Sequence, residues 1–286
     1  MTKGTRAFRI IISILLAITM LWTAYISYAF IYITKENNQI RRDERYGIYV
    51  AGIDVTWGNC HDILGDGTAS YNYVSNILTL KNATIACEGS AIYSQRDLTV
   101  ELIGENTFIC SGRDLTYALY AADRSLKKDL AIRGDGTLKI LVEDDTCKTN
   151  AGIIAENVWI SSDVSITLAN AAEGSKGINC GDLTLDDDRI LSVQVGSAEN
   201  STGIFTRGSI HLSEGSVLKV VGAAAAKESF AIECTETFTA SENVTIYAES
   251  GGDRAGIVCY SVFLNYGADI ESEIDAINGI RNMKEN

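Results

Sequence analysis

Apolar and polar residues alternate along most of the chain in short runs, and the runs recur. A large aliphatic, preceded by Gly or Ala and followed two positions later by a small residue, stands at Ile92, Leu119, Ile153, Ile178, Ile204, Ile232 and Ile257. The steps between them are 27, 34, 25, 26, 28 and 25 residues. A near-constant period of this size marks a stacked repeat. Each period holds further alternations. One comprises Leu98/Val100/Leu102, Leu130/Ile132, Val158/Ile160, Leu183/Leu185, Ile210/Leu212 and Val262/Leu264. Beyond a polar turn comes another: Leu138/Ile140/Val142, Ile166/Leu168, Leu191/Val193/Val195, Leu218/Val220 and Ile246/Ala248. Period-two alternation over a few residues is the pattern of a strand buried on one face. Three short strands per coil, without helical periodicity, predict an all-β fold: a single right-handed parallel β-helix of roughly 7–8 coils. A leucine-rich repeat would need its Leu-x-x-Leu-x-Leu phrase, and a propeller blade about 40 residues.

The recurring phrase also carries a direction. If the aliphatic points inward, so does the small residue two positions on: Ser94, Ala121, Ala155, Cys180, Thr206, Cys234, Cys259. The residue between them faces outward, giving the row Tyr93, Tyr120, Ile154, Asn179, Phe205, Glu233, Val258. Equivalent residues lie ~4.8 Å apart along the axis. The Gly/Ala position before each aliphatic is expected to leave a flat, accessible strip beside this row.

Before the repeats, residues 10–34 carry no charge. At 1.5 Å per residue such a helix reaches ~37 Å, enough to cross a bilayer. The expected organisation is a short basic tail (1–9), a transmembrane signal anchor (10–34), a polar linker (35–45) and a parallel β-helix domain (46–286) whose first part, 46–85, is an N-terminal cap. Cleavage after Ser27-Tyr28-Ala29, as in a signal peptide, is the alternative. Lys3, Arg6 and Arg9 precede the span and Lys35, Arg41, Arg42 and Arg45 follow it, so basic residues do not set the orientation. At the other end Gly279-Ile280 reads as one more copy of the phrase, and Glu271, Glu273, Asp275, Arg281 and Lys284 read as charges that blunt an open strand edge.

Charge narrows the partners. The 24 Lys and Arg against 37 Asp and Glu give −13, and removing the three basic residues of the tail leaves 21 − 37 = −16. Nucleic acid is excluded as a partner, because phosphate binding needs a basic footprint. Seven cysteines without a Cys-x-x-Cys spacing do not suggest zinc, and three of them fall on the inward small position, where a buried thiol is expected. With no Pro in the chain, turns rest on Gly, Asn, Asp and Ser.

The stretch Asp62-Ile-Leu-Gly-Asp-Gly-Thr-Ala-Ser-Tyr71, followed by Leu78-Thr-Leu-Lys-Asn-Ala-Thr-Ile85, resembles the opening of pectate-lyase-like β-helix surface proteins of Gram-positive bacteria, of the kind described as carbohydrate-binding-domain proteins. Leu98-Thr-Val-Glu-Leu-Ile-Gly-Glu-Asn106 and Ile132-Arg-Gly-Asp-Gly-Thr-Leu138 extend the resemblance, which covers about residues 46–280. It implies a membrane-held body outside the cell that binds a polysaccharide or another surface polymer.

Candidate chemistry follows from the outward positions and the turns. Tyr93, Tyr120 and Phe205 could stack sugar rings, although aromatic rows on a sheet also arise from packing alone. Acids recur in the turn after the second strand (Glu105, Asp135, Asp163, Asp187, Asp188, Glu214, Glu242), and in register Asp135, Asp163, Asp187 and Asp188 would offer oxygens to calcium. Asp is equally an ordinary turn residue. Cleavage of a polysaccharide would require paired carboxylates; Asp186, Asp187 and Asp188 offer them, but His61 and His211 are far apart and the hydrolase phrases are missing. Non-cleaving binding is therefore expected, with a lyase or hydrolase and an adhesive stalk as the alternatives. Insertions at 121–129 and 143–150 lengthen one coil, and such insertions are where solenoids carry binding.

Overall fold

The computed structural model describes residues 3–42, 44–112, 115–123, 126–143, 149–169, 171, 173–196, 200–222, 230–250, 256–265, 267–271, 274–276 and 280–282. Side chains are described for the same residues except 3–13, 36–42, 115, 149, 275–276 and 280–282. Cys147, most of the 143–150 insertion, Glu273 and Lys284 lie outside the described residues.

Three parallel ladders of short strands make a β-helix. In the first, Ile92, Leu119, Ile153, Ile178, Ile204, Ile232 and Ile257 stand opposite one another in that order. All seven are fully buried. The second aligns Leu78, Val100, Ile132, Ile160, Leu185, Leu212, Ala240 and Leu264. The third aligns Ile85, Phe108, Ile140, Ile166, Val193, Val220 and Ala248. The interior is the meeting of these rows, and each buried aliphatic contributes about 1.5–3 kcal/mol relative to exposure. Phe238 and Ala240 supply the second-ladder pair in a coil where the alternation alone did not mark one. Cys180, Cys234 and Cys259 are buried, as the inward small position requires.

Two local devices set the coil's corners. The first lies at the Gly/Ala position. The register passes over Gly152, Gly177 and Gly203, so the alternation slips by one residue there. A Cβ on Gly177 would sit 2.2 Å from Val193 Cγ1 and 2.5 Å from the Gly203 carbonyl oxygen. Ala91, Ala118 and Ala231, at the same position, are fully buried. This row therefore lines the interior against the third ladder, and the accessible strip expected from it does not exist. The second device is a side-chain ladder at the residue that precedes each second strand. Asp97 Oδ1 accepts the Asp129 N–H at 3.0 Å, Asp129 Oδ1 accepts that of Asn157 at 3.2 Å, and Asn157 Oδ1 that of Asp182 at 3.3 Å. Asp182 Oδ1 accepts the Ser209 N–H at 2.7 Å. Each coil thus satisfies a backbone donor of the next where no strand pairing can.

At the N-terminal end the pairing changes sense. Arg45–Val50 runs antiparallel to Ile92–Ser94, with Tyr49 opposite Tyr93, and Ala69–Asn72 runs antiparallel to Ile77–Lys81. The opening rungs of the first two ladders are thereby covered, which removes an edge that would invite another chain. Near the C-terminus the final copy of the phrase is displaced. Ile274, not Ile280, stands opposite Ile257, while Ile280 pairs with Val262 in the second ladder. The chain takes 11 residues from Ile246 in the third ladder to Ile257 but only 4 from its partner Ile270 to Ile274, so only 17 residues separate Ile257 from Ile274.

The N-terminal segment is a separate compact unit. Its helix, Lys3–Arg42, runs 40 residues and continues through most of the polar 35–45 stretch. Within it Ile14–Lys35, with a mean hydropathy of 1.9, is long and apolar enough to cross a membrane.

Candidate functional site on the outer face of the first ladder

The outward row divides into two stretches. In the first, the rings of Tyr49, Tyr93 and Tyr120 form a stack, with centroids 5.6 and 5.4 Å apart and planes within 19° and 17° of parallel. Tyr117 closes on Tyr120 at 5.2 Å, tilted by 56°. The strand register dictates the stack, because Tyr93 stands directly opposite Tyr49 on an antiparallel strand and opposite Tyr120 on a parallel one, and directly opposed side chains meet. The faces of Tyr93 are therefore taken by its two neighbours, and the stack offers solvent mainly ring edges and hydroxyls. A sugar ring approaching Tyr93 competes with these two neighbours for its faces.

The second stretch is half-buried and is assembled from several segments. Its floor is Ile154, Asn179 and Phe205, opposite one another on successive rungs. The insertion at 121–129 delivers a lysine to it: Leu126–Lys127 folds back antiparallel on Ala122 and Asp123. Lys127 Nζ donates to Asn179 Oδ1 at 3.1 Å, two rungs from Tyr120, and Ile154 on the rung between is 8% exposed. Lys176 Nζ lies 5.3 Å from the centre of the Phe205 ring, within cation–π range. Arg207 reaches back across a rung to Glu156, with Nη2 2.9 Å from Oε2. Burial, and then the nearby Arg207, push the Lys127 pKa below the ordinary lysine value, with Lys176 adding to this while Cys180 and Glu156 oppose it. Among the described residues no carboxylate lies within 4.0 Å of the Lys127 or Lys176 amine.

Sequence reasoning placed Tyr93, Tyr120 and Phe205 on one face, and the structure does so. It missed Lys127, Lys176, Asn179 and Arg207 as a group, since their meeting depends on a hairpin and on register across 51 residues. It also missed Trp159, 41% exposed on the outer face of the second ladder between Ala131 and Thr184. The polar groups beside Trp159 are engaged with each other: Arg133 with Glu101 at 3.7 Å, and Ser161 with Asp186.

The acids proposed for calcium do not converge. Asp163 stands opposite Thr137 and accepts the Ile190 N–H at 2.9 Å, whereas Asp135 lies where the register shifts. Asp187 and Asp188 occupy an exposed turn, with Asp188 at a φ of 56°. Among the described residues no group of three or more His, Cys, Asp or Glu is placed to hold a metal. Asn82-Ala-Thr84, Asn200-Ser-Thr202 and Asn243-Val-Thr245 have the form of glycosylation acceptors, but their asparagines all have positive φ, and Asn82 Oδ1 accepts the Glu105 N–H at 3.1 Å. They are turn asparagines first, because Asn tolerates the left-handed region.

No protein-family model, no curated protein and no solved structure matches the chain.

Proposed function

We propose that this chain is a membrane-anchored, extracellular β-helix that binds a polysaccharide or another linear surface polymer, without cleaving it, along the outer face of its first ladder. The observation that carries the proposal is the stretch around Lys127, Asn179 and Phe205, where an aromatic ring, an amide and cations from three segments share one surface. Such a mixture suits a hydroxylated chain, which offers apolar ring faces and many hydrogen-bonding groups together. A solenoid repeats its surface at ~4.8 Å, so a polymer lying along the axis meets equivalent backbone at each step. Binding without cleavage is favoured because Asp186 is tied to Ser161 and the remaining acids of that turn are exposed and scattered. The span Ile14–Lys35 supports anchoring, and the outside location is inferred from the resemblance to β-helix surface proteins alone.

The test uses the full chain in detergent on an array of polysaccharides and wall polymers, together with assays for new reducing ends and unsaturated products. Retention of at least one polymer with no product is the expected result. Product release would replace binding by catalysis, and an array without any bound polymer would remove the proposal.

A further inference from the structure

We propose that the Asn179 stretch recognises a negatively charged group on its polymer, a carboxylate or a phosphate, with Lys127, Lys176 and Arg207 as the cations that face it. This rests on the reading that a polymer binds along the row, and it specifies that polymer's chemistry. The body beyond residue 34 carries a charge of 21 − 37 = −16, so a polyanion is repelled by most of the surface. At physiological salt only charges within ~8 Å are felt strongly, which makes the local balance decisive. There, three cations face Glu156 and, on the rung beyond Phe205, Glu233. Glu156 pairs with Arg207, and the two lysines have no carboxylate within 4.0 Å among the described residues.

Placement argues the same way. The cations arrive from a hairpin, from the start of the strand Lys176–Cys180, and from the turn after Thr202–Thr206, so no local run of basic sequence explains their meeting. Bringing like charges together and half-burying one of them is unfavourable in the free protein. The lowered proton affinity of Lys127 expresses that cost. An anion seated among the three relieves it, and the free protein is thereby organised for the bound state. An ammonium has three hydrogens. Lys127 uses one on Asn179, which aims the group along the row and leaves the others for ligand oxygens.

The experiment measures binding of the full chain in detergent to a polyuronate, a poly(glycerol phosphate) and a neutral glucan, across a salt series. An anionic polymer should bind at least about tenfold more tightly than the glucan, and salt should weaken it. Lys127→Gln should cost about tenfold, while Lys127→Arg should keep most of the affinity. Lys176→Gln provides a second variant should the first alter the fold, as judged by circular dichroism. A preference between the two anionic polymers tells carboxylate from phosphate. Equal binding of the neutral glucan, insensitive to salt and to both glutamine variants, would overturn the charge proposal while leaving polymer binding intact. Failure of all three polymers here and of the wider array would remove both.

Discussion

The two sides of the first ladder belong to the same strands yet obey different rules. Inward, seven successive rungs present Ile or Leu at one position, each fully buried against its equivalents. Outward, the same rungs present Tyr, Tyr, Ile, Asn, Phe, Glu and Val. At this position every rung fills an equivalent slot, so the inner row is uniform, although the second and third ladders range from Ala240 and Ala248 to Phe108. The outer row has no such constraint, and its variety reports what the surface does. Within that outer row a second contrast appears. The tyrosines at the N-terminal end satisfy one another, whereas the Asn179 region gathers two lysines with no carboxylate within 4.0 Å among the described residues.

The sharpest way to break the contrast is to cut into the inner row. Ile204→Ala removes a fully buried side chain between Ile178 and Ile232 and should cost about 2–5 kcal/mol in chemical denaturation of the full chain. A cost below ~0.5 kcal/mol would mean that the row does not hold the coils together. A smaller effect separates the two outer stretches. Tyr93→Leu interrupts the stack and should lower stability by about 0.5–1.5 kcal/mol while leaving polymer affinity unchanged. Loss of affinity without loss of stability would show instead that the stack itself is the binding surface.

How much was legible follows from how local each feature is. The three ladders were readable because period-two alternation and a coil of about 25 residues are written directly into the spacing of Ile, Leu and Val. The accessible Gly/Ala strip was misjudged for a physical reason: strict alternation puts Gly177 outside, but the chain bends there, and Val193 occupies the space a side chain would need. Spacing could have revealed the corner ladder, since Asp97, Asp129, Asn157, Asp182 and Ser209 each stand immediately before a second strand. The acids after that strand drew attention because they were numerous, although the register scatters them. Lys127 could not have been placed, because its position depends on a hairpin that carries it two rungs along the axis. Ile280 was assigned to the wrong ladder because the coil before it is shortened, which a search for the phrase alone does not detect.

The central claim is that a polymer lies on the outer face of the first ladder at the Asn179 region. Hydroxyl-radical footprinting of the full chain, with and without the polymer that it retains, tests this most directly. The account predicts protection at Phe205, at Lys127 and along Lys176–Cys180, with Trp159 on the second ladder reacting as before. Protection of Trp159 with none at Phe205 would place the polymer on the other face and contradict the account.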